Sequence, residues 1–357
     1  MDTLQVPTTQ GRWSVTIEEW GQDLKRKPHV VAPIVFLLVA IMYLAYAVMA
    51  GGNVWAQLIS ARPSQLVQDW APFALLALGS GLVIATGQID LSSTAVAAFS
   101  GVVFALGIKF GHGWTPSVLY AVAVGLSAGL VNGFLVAHLS APALIVTWST
   151  ALVFTACATI ITQALAGSIS SVSLDGAADG AFASLSSPGV ASFVGVLILI
   201  TYFCGTSNLS REAMAVGTDS QSATYIGLSH RGVTFKSFAL SGVFAALAGV
   251  LQTISMGSAA TTELQASGLE VVAICVLGGT LLSGGYFSAV SILFAAAVWS
   301  FLKLFIPMAE FPALFGEIEG QLVPVVFSLM VLGVVIVFAR KLSGPYHPVL
   351  MSFETDK

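Results

Sequence analysis

Long apolar runs broken by short polar stretches set the rhythm of this chain. VVAPIVFLLVAIMYLAYAV, residues 30–48, holds no charged residue. A helix needs ~20 mostly apolar residues to cross the hydrocarbon of a bilayer. By that measure candidate spans lie at roughly 30–50, 67–87, 92–110, 117–138, 142–165, 189–206, 236–256, 268–282, 286–306 and 321–340. An outer-membrane barrel would instead alternate apolar and polar positions over ~10-residue segments. Lipid offers no partner to an open peptide group, so the spanning backbone is helical. The pattern predicts an all-α polytopic membrane protein with about ten transmembrane helices, some of them broken.

The segments 92–110 and 268–282 are short or interrupted by Gly and Ser. Between the second and third spans stands VIATGQIDLSST, residues 83–94, which places Asp90 inside apolar chain. A carboxylate at mid-bilayer costs ~2.5–3.5 kcal/mol on insertion scales. A helix break lowers that cost: Gly87 frees the backbone, and Asp90 can accept N–H bonds as the N-cap of the next helix. Asp90 is then either the cap of a hairpin or a ligand for a solute. A faint echo occurs at GGTLLSGG, 278–285, which shares Gly, Leu and Ser with GQIDLSST, 87–94. Broken segments at matching points of two halves are a habit of transporters. Gly278, Gly279 and Ser283 therefore join Gly87, Gln88, Asp90, Ser92, Ser93 and Thr94 as candidate hairpin or pathway residues.

Composition strengthens the membrane reading. Of 357 residues, 56% are hydrophobic and 8% charged, with a mean hydropathy of +0.91. A soluble domain carries about 25% charged residues, so the surroundings must be partly lipid. Lys and Arg mark the inner side. Arg12, Lys25, Arg26 and Lys27 precede the first span, Arg211, Arg231 and Lys236 sit near 207–236, and Arg340, Lys341 and Lys357 follow the last. An even span count puts both termini in the cytoplasm. The chain divides into a cytoplasmic segment, 1–29, a membrane domain, 30–340, and a cytoplasmic tail, 341–357. Residues 1–29 hold no apolar core before a cleavage site, and no signal peptide is expected.

Two polar connections are long enough to meet other molecules. The outer one, about 165–190, is rich in Gly, Ser and Ala and is expected to hold a short interfacial helix. The inner one, 207–236, is too polar to span yet keeps an intermittent apolar face at Ala213, Val216, Ala223, Ile226 and Leu228. That pattern suits a helix lying along the membrane surface with one side toward a partner.

Enzyme signatures are missing from the sequence. No Walker phosphate loop, H-E-x-x-H or G-x-S-x-G occurs. His29, His112, His138, His230 and His347 scatter along the borders, and Cys157, Cys204 and Cys275 lack metal-site spacing. A second polar set remains: Asn132, Thr147, Trp148, Ser149 and Thr150. An indole face with nearby hydroxyl and amide groups suits a sugar-like solute, while interhelical packing by Ser and Thr accounts for the same residues. Glu270 and Lys303 sit where side chains reach the interface.

In this order and spacing the motifs resemble a known family. GQIDLSSTAVAAFSG is similar to the glycine-rich segment of the permeases of bacterial ribose- and xylose-type (carbohydrate) ABC importers. REAMAVGTDSQSATYIGL resembles their cytoplasmic coupling segment, and FALSGVFAALAGVLQTISMGSA and EVVAICVLGGTLLSGGYFS continue the likeness, which runs from about 70 to 340. Thr86-Gly87-Gln88 stands where consecutive glycines are more common there, and Ser222-Ala223 where two alanines are. The resemblance implies a permease subunit with no cofactor of its own, ATP and Mg being held by a cytoplasmic ABC ATPase. It implies further a second permease subunit, the same or related, and a periplasmic or extracellular solute-binding protein, with no nucleic acid involved. Arg211, Glu212, Ala213, Gly217, Asp219, Ala223 and Gly227 would face the ATPase. The alternative from another class is an ion-coupled secondary transporter that uses Asp90.

Overall fold

A computed structural model describes residues 33–37, 63–167, 171–174, 197, 200–201, 204–261, 268–308, 325, 329 and 333. Nine helices and one two-stranded ribbon have defined bounds among them. They are α1 (Pro63–Ala85), α2 (Ser93–Lys109), α3 (Trp114–Ala137), α4 (Ala143–Ala166), β1 (Ser171–Ser173), α5 (Asn208–Thr218), α6 (Ser220–Tyr225), α7 (His230–Met256), β2 (Ser258–Ala260), α8 (Gly268–Leu277) and α9 (Ala289–Met308). Four of these helices are long and apolar enough to cross a membrane: the Val67–Ala85 part of α1, α3, α4 and α7. Shorter apolar helices are α2, α8 and Ala289–Lys303 of α9. The chain is thus a polytopic helical protein, and seven of the expected spans coincide with described helices. The expected spans at 30–50, 189–206 and 321–340 lie almost wholly outside the described residues.

The longest helix, α7, has 27 residues and is the axis of the bundle. At 1.5 Å per residue it measures about 40 Å, enough for a ~30 Å hydrocarbon core with ends to spare. It packs most extensively on α3, then on α1 and α2. Helices in lipid gain nothing from hiding apolar surface from water, so close backbone contact must hold them together. Glycines at four-residue spacing supply it. Gly125, Gly129 and Gly133 lie on one face of α3, and a methyl group on Gly125 or Gly129 would overlap the carbonyl oxygens of Gly242 or Phe238 in α7. Further along, a methyl on Gly249 would overlap the Ala97 carbonyl of α2.

Polar termini are capped from within. Ser207, Asp219 and Ser229 accept backbone N–H bonds as the N-caps of α5, α6 and α7. At the far end of α7, Gly257 turns the chain with φ +65°, and β2 pairs antiparallel with β1 in the register Ser171↔Ala260 and Ser173↔Ser258. Of the connection expected to carry an interfacial helix, Ser171–Ser173 form a strand, and residues 168–170 and 175–190 lie outside the described residues. Side chains 151 or more apart in sequence meet in this bundle, as the Lys303–Asp69 ion pair (2.9 Å) between α9 and α1 illustrates.

Candidate functional site: two helix breaks and the elbow that rests on them

The first break follows α1. Gly87 adopts φ +81°, its N–H bonds the Ile84 carbonyl (2.8 Å), and the Gln88 N–H reaches the Val83 carbonyl (3.4 Å). The second break follows α8 in the same way. Gly279 has φ +86°, its N–H bonds the Val276 carbonyl (2.9 Å), and the Thr280 N–H bonds the Cys275 carbonyl (3.0 Å). Both are Schellman ends, which need a residue comfortable in the left-handed region. The structural equivalence thus pairs Gly87 with Gly279, whereas matching the letters of the sequence pairs Gly87 with Gly278. That register was one residue off because a Gly-Gly pair offers two places for the turn, and hydrogen bonds choose the second.

The two breaks meet. The Gly285 N–H bonds the Ala85 carbonyl (2.9 Å), and a methyl on Gly284 would stand 2.7 Å from the Gly87 nitrogen. Ser283 is exposed beside Gly87, and Gly278 is buried against Ile292 of α9. Onto this junction the α5–α6 elbow is seated. A methyl group on Gly217 would overlap the Ala85 carbonyl and stand 2.6 Å from the Gly285 nitrogen. Three backbone segments thus touch with no side chain between them.

Asp90 lies just past the first break and is 4% exposed. One carboxylate oxygen accepts from the Ser92 N–H (2.9 Å) and hydroxyl (2.7 Å), and the other from the Ser241 hydroxyl of α7 (2.9 Å). The Asn132 amide of α3 donates to the Ser92 hydroxyl (2.7 Å). Asp90 is not the N-cap expected from the sequence: that position is Ser92, two residues on, and Asp90 instead shapes the approach to the helix and ties it to α7 directly and to α3 through Ser92. Thr147 of α4 completes the clasp: its hydroxyl accepts from the Leu91 N–H (3.2 Å) and lies 3.3 Å from the Ile89 carbonyl. Ser93 accepts from the Ser80 hydroxyl (3.1 Å), and Thr150 turns back to the Thr147 carbonyl (3.2 Å). Gln88 is half-buried beside them. Asp90, Ser92, Ser93, Asn132 and Thr147 therefore form one cluster. Thr94 and Trp148 leave it and line a cleft of about 410 Å³ between α2, α4 and the start of α8.

The elbow divides its residues by depth. Ala213 and Ala223 are buried, Glu212 and Gly217 half-buried, and Arg211, Asp219 and Gly227 exposed. Arg211 donates to the Thr206 carbonyl (3.2 Å) and the Asn208 side chain (2.7 Å) of its own turn. The Ser222 hydroxyl, with the Gln221 and Ser222 N–H groups, holds the Asp219 carboxyl below the usual carboxylate range. At the tip, Tyr225 and Ile226 are 90% and 73% exposed. Ser241, Ser80 and the α3 glycines carry no local sign of this site. The G-x-x-x-G spacing at Gly125, Gly129 and Gly133 is the one signal that foretells the close α3–α7 contact.

Comparison with known proteins identifies the family. The family model described as "Branched-chain amino acid transport system / permease component" matches residues 63–340. The autoinducer 2 import system permease protein LsrC of Yersinia pseudotuberculosis serotype O:3 (strain YPIII) is 26% identical over 254 residues, 70% of this chain and 71% of that one. The protein of the same name from serotype O:1b (strain IP 31758) is 26% identical over 271 residues, 74% of each. That from Yersinia pestis (strain Pestoides F) is 26% identical over 254 residues. No solved structure matches. Breaks, elbow and family model coincide over the same stretch of chain, and the protein belongs to this family of ABC importer permeases.

Proposed function

We propose that this chain is the permease subunit of an ATP-driven importer and moves a sugar-like solute across the bacterial inner membrane by alternating access. One observation carries the reading: the elbow rests through Gly217 on the junction of both breaks. A push on α5–α6 then reaches α1–α2 and α8–α9 together, because backbone on backbone leaves no soft side chain to absorb it. The exposed Tyr225 and Ile226 tip, with the exposed Arg211 and Asp219 of the same elbow, is the surface offered to a cytoplasmic ATPase. Ala213, Gly217 and Ala223 act from beneath, holding that surface in place.

ATP and Mg belong to the ATPase, and the α5–α6 end is the cytoplasmic end. A solute-binding protein meets the opposite end, where β1 and β2 lie. A second permease subunit covers α4, whose outward side carries Trp148 and Ser149 among its apolar residues. The relatives' name gives autoinducer 2 as their solute; the sugar-like solute proposed here follows from the resemblance to carbohydrate importer permeases and from the uncharged Trp148 and Thr94 beside the breaks.

The test is uptake of radiolabelled monosaccharides by liposomes holding this chain with its ATPase and binding protein. Uptake should need ATP inside and persist when the proton gradient is collapsed. Uptake that ignores ATP and disappears with the gradient would replace this reading by an ion-coupled one.

A further inference from the structure

The side of the bundle formed by α1 and α9 carries a groove that neither the break junction nor the elbow uses. Its volume is about 420 Å³, within the ~300–1,000 Å³ range of small-molecule pockets. Val290, Phe294, Ala297 and Phe301 form one stripe along α9, and at 1.5 Å per residue that stripe runs about 16 Å. Val67 and Trp70 of α1 line the groove with it. Its polar side chains are already paired. The Trp70 N–H donates to the Leu293 carbonyl (3.0 Å), and the Ser300 hydroxyl donates to the Ala296 carbonyl (3.1 Å). A polar solute would leave water for a wall whose donors are taken, which is unfavourable. An elongated apolar groove of this kind suits an alkyl chain.

An ion pair stands beside it. Lys303 lies one turn beyond Ser300 on α9, and Asp69 lies between Val67 and Trp70 on α1. The Lys303 Nζ is 2.9 Å from one Asp69 oxygen and 5.9 Å from the centre of the Phe73 ring. Neither charge is shut away, the two side chains being 40% and 22% exposed. The pair stands close to the ends of the apolar stretches of both helices, Val67–Ala85 and Ala289–Lys303. A partly exposed pair contributes little to stability by itself, and charges near hydrocarbon are costly without further partners.

From the apolar groove and the cation and anion beside it, we propose that this face binds one phospholipid whose headgroup carries both a phosphate and a primary ammonium, as in phosphatidylethanolamine. An acyl chain lies in the groove, the phosphate meets Lys303 and the ammonium meets Asp69. The proposal needs a membrane-spanning chain but not the importer reading. Phosphatidylglycerol would bring a phosphate to Lys303 and nothing cationic to Asp69. Phosphatidylcholine would bring a cation with no N–H to donate. A hydrogen bond to a charged group is worth roughly tenfold in affinity, so the headgroup that satisfies both residues is selected. The lipid lies in the leaflet opposite the elbow, since Asp69 and Lys303 are near the ends of α1 and α9 that point away from the breaks.

Native mass spectrometry tests the site on the full chain in mild detergent, with dioleoyl phosphatidylethanolamine, phosphatidylglycerol or phosphatidylcholine supplied at equal concentration. The first lipid should be retained roughly tenfold more than either of the others. Asp69→Leu combined with Lys303→Met replaces the pair by apolar side chains, a change that folded proteins tolerate, and should erase the preference. Ala297→Phe keeps the pair and fills the groove, and should lower retention of phosphatidylethanolamine at least about fivefold, because burial of the chain supplies the affinity. Circular dichroism confirms that the variants are folded. The comparison of lipids on the wild-type chain decides the headgroup claim even where a variant fails to insert. Equal retention of the three lipids, or strongest retention of phosphatidylglycerol, would overturn the proposal. So would a preference that survives loss of the pair, or retention that Ala297→Phe leaves unchanged. A wild-type chain that retains no lipid would overturn it too, and would assign the groove to a second copy or to residues 38–62 of this chain.

Discussion

Gly217 in α5 lies so close to the carbonyl oxygen of Ala85, the last residue of α1, that no side chain fits between them. The same oxygen accepts the Gly285 N–H (2.9 Å), so one carbonyl joins the elbow to both helix breaks. On the importer reading proposed above, coupling between a partner's surface and the membrane helices would pass through this point.

Gly217→Ala should therefore separate coupling from folding. Its methyl group overlaps the Ala85 carbonyl and crowds the Gly285 N–H, and overpacking of this kind costs about 1–3 kcal/mol. The expected result is a chain that inserts and keeps its helicity but unfolds at lower temperature in detergent and transports poorly. Gly205→Ala is the control, since no described residue stands within 4 Å of a methyl group there.

Asp90→Ala should destabilise more than Ser241→Ala. The first leaves the Ser92 N–H, the Ser92 hydroxyl and the Ser241 hydroxyl without their acceptor, and the second removes one bond. Each buried group left unpaired costs about 1–3 kcal/mol, and a single net bond about 1 kcal/mol. Thermal unfolding in detergent reads the order, and equal losses would contradict the clasp.

Asp219 should keep its cap through neutral and mildly acid conditions. Its ordinary value is 3.8, and the Ser222 hydroxyl with two N–H groups lowers it in the folded chain. A lowered acid adds stability that is complete above the unfolded value and is lost as pH falls through the folded one. Amide exchange over residues 220–225 should thus be protected equally, after correction for intrinsic rates, from pH 8 to about pH 5, and loosen only below about pH 4. Asp219→Asn should retain the cap and Asp219→Ala lose it across the whole range.

Close packing of α3 on α7 should tolerate no added volume. Gly125→Leu or Gly242→Leu would drive side chains into the opposite backbone and lower the yield of folded protein. Gly232→Ala, near the start of α7 where a methyl group meets only Ser229 at 3.4 Å, should be close to silent. Size-exclusion profiles in mild detergent distinguish the two.

Much of this was legible in the sequence. Lipid demands long apolar runs, so the helices near 67–87, 117–138, 142–165 and 236–256 announce themselves. Asp90 marks the first break because a carboxylate is rare inside a span, and Gly87 beside it is the residue type that ends a helix in the left-handed region. The packing was not legible, since membrane helices are apolar on the lipid side and the protein side alike, and periodicity cannot say which face is buried. Nothing near Ser241 names Asp90, 151 residues away, as its partner. Nor could the elbow's pattern say that Ala213 and Ala223 are buried while Tyr225 and Ile226 protrude, because that depends on where the two breaks converge. The β1–β2 pairing is equally non-local, written in two short Ser-rich pieces with no strand signature of their own.

Affinity purification of the tagged full chain from native membranes in mild detergent tests the central claim most directly, comparing it with a Tyr225→Asp, Ile226→Asp double variant. An ATP-hydrolysing subunit should accompany the wild-type chain and be lost from the variant, which stays membrane-inserted and folded. A chain that purifies without any ATPase, and alone carries solute into liposomes on a proton gradient, would contradict the account.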